Sequence, residues 1–473
     1  MAVAGNCRPI EDRGLLASAF MKSARQQLSG WGNCPIEWCN VARPEKLEAL
    51  CSVIAGGDQL DYIPRGLGRS YGDSALNRNS GVLVQTRLSR FLSFDEENGI
   101  LECEAGVSFA DIVETFLPLG WFIPTTPGTK YVTVGGAIAA DVHGKNHHAD
   151  GSFGNFVLDV VLLIAAGEFI TCSPSDKADI FWATVGGMGL TGVIISARIK
   201  LLRVETGFVS VTYRRTANLD ETFNSFMTNG KAFRYSVAWI DCLASGKSLG
   251  RSILLFANNA PIEDLPIGLR NRPLSVNLRT TKSVPFYFPD YVLNPWSIKT
   301  FNCLYYGTHR NKQTFIDYDR FFYPLDSFSR WNRIYGKRGF VQYQALFPHE
   351  TARRGLFELL QEVANARRAS FLAVLKDGGA ASKGMLSYLY PGYTLALDFP
   401  NTGTSLTQLI RRLDKILLKY NGRLYLAKDA TMEPAAFAQM YPRLAEFQQV
   451  KSRVDPNNRF VSSQARRLRI IES

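Results

Sequence analysis

The sequence predicts an α+β protein laid out as a first domain over 1–206, a second over 207–422, and a stretch, 423–473, that returns to the first. Three observations carry this reading. Up to about residue 206, short apolar strands alternate with glycine-rich loops, densest in PTTPGTKYVTVGGAIAADVHGKNHHADGSFGNF (124–156). From 207 the glycine motifs stop, and strands mix with amphipathic helices in a way that suits a largely antiparallel sheet. Gly187, Gly189 and Gly192 spell GxGxxG, but VIISARIKL follows them, β-branched and alternating, and so reads as a strand. A nicotinamide-type dinucleotide fingerprint needs a helix there, so a doubly wound fold is rejected.

Taken in order, PEKLEALCSVI (44–54) puts Leu47, Leu50 and Ile54 on one helical face. DYIPRGLGRSYGDSAL (61–76) is a short strand running into a loop. GVLVQT (81–86) is a strand, and LSFDEENGILECEAG (92–106) is a pair of strands around an Asn-Gly turn. SFADIVETFLPLG (108–120) is a helix stopped at Gly120. The stretch 124–156 is too broken by glycine for a long helix; it reads as backbone laid against a flat ligand, with GKNHHADG a loop. FVLDVVLLIA (156–165) is a strand. In the second domain RYSVAWIDC (234–242), RSILLF (251–256), GFVQYQALFP (339–348), SFLAVLK (370–376) and YTLALDFP (393–400) are strands. Residues 350–367 and 405–422 are amphipathic helices. Alternation in YTLALDFP puts Thr394, Ala396 and Asp398 on one face and Leu395, Leu397 and Phe399 on the core face. The aromatic, proline-bearing segments 284–296 and 317–331 read as irregular, either loops tucked into the core or a lid over a greasy ligand.

A chain of 473 residues carries two to four domains at about 100–200 residues each, and 46% apolar with 20% charged residues is a globular composition. The net charge of +12 is scattered, and no zinc-finger, RNA-recognition or basic-zipper pattern occurs, so nucleic acid is not expected as a partner. The basic balance suits an anionic membrane or a phosphorylated substrate instead. The eight cysteines lack any CxxC or framework spacing and read as reduced thiols of a cytoplasmic protein. The N-terminus MAVAGNCRPIEDRGLL has no apolar signal core, and the longest apolar run, 156–167, is too short to span a bilayer. Any membrane contact is expected to be peripheral.

PRGLGRSYGD (64–73) is the best phosphate-loop candidate, because successive N–H groups in a glycine-permitted loop form an anion-binding nest. Arg65 or Arg69 adds charge, and the Gly-Lys-Ser/Thr ending of a P-loop is absent. One long ligand touching both this loop and 128–154 suggests a dinucleotide such as FAD. His143 and His147 have i, i+4 spacing, but Gly144 stands where a zincin has glutamate, and Gly144 and Gly151 oppose a helix; no metal is expected. Lys428, beside Asp429 at a strand end in LYLAKDA, reads on its own as a surface ion pair.

GLGRSYGD, the 124–156 stretch, FWATVGGMGLTG, WNRIYG, GFVQYQ, RLYLAKD and the tail VDPNNRFVSSQARRL together resemble the decaprenylphosphoryl-β-D-ribose 2-oxidases. These form a family within the vanillyl-alcohol-oxidase / p-cresol-methylhydroxylase class of flavoproteins, and the resemblance runs over about residues 60–470. It implies a two-part FAD-binding domain and a substrate domain. FAD is expected without a covalent link, since the loop 66–73 has no histidine. Arg65, Gly66, Leu67, Gly68, Arg69, Ser70, Tyr71 and Gly72 would surround its pyrophosphate. Pro127, Gly128, Thr133, Val134, Gly135, Gly136, Ala139, His143, Gly144, Asn146, Gly192, Val193, Ile194 and Tyr425 would line the rest of it. The resemblance further implies a polyprenyl-phosphate ribose at Lys145, Trp239, Gln342, Gln344, Lys376, Tyr425 and Ala396, the last aligned with a cysteine in the best-known members. Lys428 is the expected catalytic cation, with Tyr71 and His143 as proton-relay candidates. Hydride would pass from ribose C2 to flavin N5. A quinone would reoxidise the flavin, and a short-chain reductase would complete an epimerisation, at the inner face of the membrane. The rival enzyme is a flavin oxidase of a small free alditol or aldonolactone; the rival of another class is a non-catalytic sugar-lipid carrier.

Overall fold

The computed structural model describes residues 23–56, 60–276, 281–289, 291–366, 368 and 372–471. The readings of the N-terminal sixteen residues and of Cys7 lie outside these, as does part of the strand reading at 370–371.

Among the described residues, the first part of the chain builds a four-stranded and a five-stranded sheet, with Trp121–Phe122 and Leu202–Arg203 pairing in a small third one. Ala24–Ser29, Ile36–Ala42, Gly81–Val84 and Tyr62–Arg65 form the first in that spatial order, with an antiparallel first pair and parallel neighbours after it. Phe91–Asp95, Ile100–Glu104, Val193–Lys200, Val157–Leu163 and Phe169–Cys172 form the second, antiparallel throughout. The strand Val193–Lys200 directly follows the GxGxxG spelling, as the β-branched alternation predicts. The helix Phe109–Phe116 starts in a capping box between Ser108 and Asp111, and the chain leaves it through Gly120 at φ 81°.

The glycine-rich stretch contains no long helix. Val134–Ala139 is a short helix, capped by Thr133 Oγ1, which accepts the Gly136 N–H at 3.2 Å. GKNHHADG departs from the loop reading, because His147–Asp150 makes a single helical turn, stopped by Gly151 at φ 78°. A turn this short places neither glycine inside a helix, which is why the glycines did not prevent it.

Residues 207–424 build one eight-stranded antiparallel sheet in the order Lys312–Asp317, Phe208–Thr216, Ser252–Asn259, Tyr235–Ile240, Ala373–Gly378, Gly392–Pro400, Phe340–Pro348 and Arg423–Leu424. The helices His349–Asn365 and Thr404–Lys419 bury Leu356, Leu360, Leu409 and Leu413 against one face. Leu395, Leu397 and Phe399 are on that face, fully buried, as the alternation requires. The segment 317–331 is not irregular. Asp317 caps a short helix, Tyr318–Phe322, and Tyr318, Phe321, Phe322 and Tyr323 are all core residues.

After Leu424 the chain leaves the sheet. Its helices Leu444–Val454 and Ser463–Leu468 lie against the first part: the Tyr62 N–H donates to Arg459 O at 2.7 Å, and Val461 N–H to Tyr62 O at 2.9 Å. Cys34, Cys39, Cys103, Cys172, Cys242 and Cys303 are free thiols, but Cys51 is disulfide-bonded, which corrects the all-thiol reading. A bridge set by tertiary approach leaves no spacing motif. Among the described residues, no helix is long and apolar enough to cross a membrane.

Candidate active site

A cavity of about 620 Å³ lies between the first part of the chain and the uncovered face of the eight-stranded sheet. One wall is largely backbone: the loop Arg65–Tyr71 and much of the stretch between Thr126 and His143 line it, together with Gly192 and Ile194. The wall is thin because glycine is required. A Cβ on Gly66 would come within 2.2 Å of Thr133 Oγ1, so the loop rests directly on the helix cap, while a Cβ on Gly128 meets nothing within 4 Å.

The opposite wall is the pleat of the sheet. Every second residue on adjacent strands points at the cavity, and register places Gln342 opposite Asp398, Gln344 and Val374 opposite Ala396, Lys376 opposite Thr394, and Trp239 opposite Val374. Across the sheet the lining changes character. Ile316, Tyr213, Leu255 and Val237 come from the four strands at one side, and Lys376, Thr394, Asp398, Gln342 and Gln344 from the next three. At about 4.8 Å per strand, the apolar floor is roughly 14 Å wide. Phe301, Tyr305 and Phe321 close over it.

The polar end is electrostatically dense. Lys428 Nζ sits 3.6 Å from the centroid of the Tyr71 ring, a cation–π geometry. Burial pulls the Lys428 ammonium well below the ordinary lysine range, and the Asp398 carboxylate acts in the opposite direction. Burial likewise pushes the fully buried Asp398 carboxyl up, against the hydrogen bond from Gln342 Nε2 at 2.5 Å and the charge of Lys428. Tyr335 OH donates to its other oxygen at 3.3 Å. Lys376 is lowered to about 8 by burial, and Lys145 to about 7 by burial and by Lys376. Lys145 Nζ is engaged by Phe321 O and lies over the Phe321 ring.

Burial raises the Tyr71 phenol well above its usual range and holds His143 well below its own, so Tyr71 stays protonated and His143 neutral. Gln344 Nε2 lies 2.9 Å from His143 Nε2; with the amide donating, Nδ1 carries the imidazole proton, and Nδ1 is buried without a partner.

Several expected residues stand elsewhere. Val134 and Val193 are fully buried in the core behind the wall, and Gly72 abuts Asp429 O, where a Cβ would come within 1.9 Å. Asn146 is buried and donates to Pro124 O at 2.8 Å and Asp150 Oδ2 at 2.6 Å, with Gly144 packed against it. These hold the wall rather than line it. Arg65 lines the cavity, but its guanidinium donates to Ala75 O and Ser29 O at 3.1 and 2.7 Å. Arg69 instead lies over the Trp31 ring at 4.0 Å with a buried, unpartnered Nε. The three histidines diverge: His147 Nδ1 accepts from Gly379 N–H at 2.9 Å, and His148 sits near Phe233 O and Ser236. Among the described residues there is no group of three side chains suited to a metal. Lys428 is not in a surface pair; Asp429 is bonded to Arg467 at 2.8 Å, and Arg467 also grips Asp73 at 2.7 Å. The sequence reading missed Asp398 and the apolar floor. The alternation that identified the face of Ala396 already carried Asp398 with it.

A dinucleotide fits this wall. The glycine contacts bring backbone to the cavity, and Arg69 Nε, Ser74 Oγ and His143 Nδ1 are buried polar atoms in it that lack protein partners. With a sheet-built second half carrying titratable groups, fold and site define a flavoprotein oxidoreductase. The comparisons agree. Residues 40–173 match the FAD binding domain family, and residues 397–468 match the D-arabinono-1,4-lactone oxidase family. A decaprenylphosphoryl-beta-D-ribose oxidase from Mycolicibacterium smegmatis is 37% identical over 96% of this chain and 100% of its own length. An uncharacterised Streptomyces coelicolor protein is 34% identical over 76% and 98%. A D-lactate dehydrogenase from Archaeoglobus fulgidus is 27% identical over 34% and 38%. The chain belongs to the decaprenylphosphoryl-β-D-ribose oxidase family, and its cofactor is FAD.

Proposed function

We propose that the protein oxidises the C2 hydroxyl of the ribose in a polyprenylphosphoryl-β-D-ribose to the ketone, with FAD held non-covalently. The observation that carries this is the change across one sheet face from an apolar floor to a cluster of lysines, glutamines and a carboxylate. A ligand with a greasy arm and an anionic sugar matches both halves.

The loop Gly66–Tyr71 would hold the FAD pyrophosphate through its backbone, and Arg69 would balance the charge. FAD bound there would supply hydride-accepting chemistry. Lys428 Nζ supplies the cation that the polar end needs, and the Asp398 carboxylate favours its charged form against the pull of burial. Gln342 and Gln344 orient the sugar hydroxyls, and His143 donates through Nδ1. Lys376 meets the phosphate, whose charge raises its depressed pKa. Tyr71 stays a neutral ring under the Lys428 ammonium.

The same reading places a quinone as the terminal electron acceptor and a short-chain reductase as the enzyme that consumes the keto sugar, completing an epimerisation. It places the protein peripherally at the cytoplasmic face of the membrane. A second reading, oxidation of a small free aldonolactone, is favoured by the match over 397–468 and opposed by the apolar floor. Anaerobic mixing of the FAD-loaded protein with each compound discriminates. Bleaching of the flavin band by a prenylphosphoryl ribose, and not by arabinonolactone or alditols, supports the first. Bleaching by the free sugars alone sinks it.

A further inference from the structure

The helix Pro295–Thr308 is apolar on two sides. Buried Asn302 fastens it to the sheet through Asp241 Oδ1 at 2.7 Å, and Ile298 is buried beside it. Phe301 and Tyr305 reach the cavity. Yet Trp296 is 80% exposed and Leu304 63%, two turns apart on the outer side, with Tyr291 at 76% just before the helix. A helix greasy on both sides is ordinarily covered on both. The exposed charge on and just after the helix is also of one sign. Lys299, Arg310 and Lys312 are exposed, and no acidic residue occurs between Tyr291 and Lys312.

We infer that this outer side docks on an anionic lipid bilayer, so that one helix touches the membrane with Trp296 and Leu304 and the substrate cavity with Phe301 and Tyr305. The inference rests on the prenyl-lipid reading above. The chemistry is that of an interfacial anchor: an aromatic and an aliphatic side chain at headgroup depth, flanked by lysine and arginine. The short i, i+5 step from Trp296 to Phe301 gives a prenyl chain a path from bilayer to apolar floor along one element. Tyr318, Phe321, Phe322 and Tyr323, the aromatics that follow on the next strand and helix, are core residues and take no part in it. Trp296 and Leu304 do not line the cavity.

The test is co-sedimentation of the FAD-loaded protein with vesicles of phosphatidylcholine containing phosphatidylglycerol, against phosphatidylcholine alone. The Trp296→Ser/Leu304→Ser double variant runs alongside. Wild type is expected to partition to the anionic vesicles and to release on raising salt. The variant is expected to lose about tenfold in partition, through lost apolar burial, while oxidation of a short-chain, water-soluble prenylphosphoryl ribose stays within about twofold, as for an exposed substitution. Equal partition of wild type and variant, or no wild-type partition at low salt, overturns the inference. A dimer that the double substitution dissociates also overturns it, because a second copy then covers the face. Partition without turnover of any prenylphosphoryl ribose overturns the reading beneath it instead.

Discussion

Lys428→Met removes one charge and leaves an unbranched stem over the Tyr71 ring, where Nζ stands 3.6 Å from the centroid. The side chain lines the cavity, away from bulk water, so its charge is not screened as a surface lysine's would be. Losing one preorganised electrostatic contact costs about 3–4 kcal/mol of barrier, roughly 10²–10³ in rate. Coulomb's law gives the same size: unit charges about 4 Å apart at an effective dielectric of about 20 interact by about 4 kcal/mol. The fold tolerates the change. Without Lys428 the buried Asp398 carboxyl is pushed further up and takes a proton, so no bare charge is stranded. The expected result is a full complement of FAD by absorbance and a rate of flavin bleaching by prenylphosphoryl ribose reduced by those two to three decades. Bleaching within about threefold of wild type, with FAD bound, refutes the role argued for Lys428.

Four further outcomes follow from the same geometry. Asp398→Asn removes the attraction that holds Lys428 charged, so the fall in activity as pH rises, which tracks loss of the ammonium, moves to lower pH; an unmoved limb in the pH–rate profile counts against the pairing. Denaturation releases all flavin to the supernatant, since Gly66–Asp73 contains no histidine or cysteine; colour retained by the precipitated chain contradicts this. Ala396→Cys places a thiol on the cavity face of its strand and introduces a site for electrophilic labelling, read by intact mass, with turnover kept within an order of magnitude; wild type labelled within 393–400 would mean the face is wrongly assigned. Arg467→Met leaves Asp73 and Asp429 without their guanidinium and destabilises by about 3–5 kcal/mol in thermal or denaturant unfolding; an unchanged midpoint shows that the clamp is not needed.

Much of the fold was readable because the signals were local. The Asn-Gly turn, the helix stop at Gly120 and the alternation of YTLALDFP each depend on a few neighbouring residues, and all three stand in the structure. What failed depends on the third dimension. Val134 and Asn146 sit inside the glycine-rich stretch, yet Val134 packs into the core at the start of a short helix and Asn146 is a strut bonded to Pro124 O, outcomes that tertiary packing sets. Lys428 reads as a surface lysine beside Asp429 until Arg467, thirty-eight residues on, takes the aspartate and leaves the lysine to the cavity. The apolar floor is assembled one residue per strand from Ile316, Tyr213, Leu255 and Val237, with no local motif to mark it. The aromatic run 317–331 read as either core or lid because composition alone cannot separate a greasy loop from a core helix.

The central claim is removal of hydride from ribose C2 of a lipid-linked sugar, and isotopic substitution reads it most directly. Prenylphosphoryl ribose carrying deuterium at C2, mixed anaerobically with the FAD-loaded protein, is predicted to bleach the flavin several-fold more slowly than the unlabelled compound, while deuterium at C3 leaves the rate unchanged. Equal rates for the C2-labelled and unlabelled compounds, with slowing only when another ribose carbon is labelled, would contradict it.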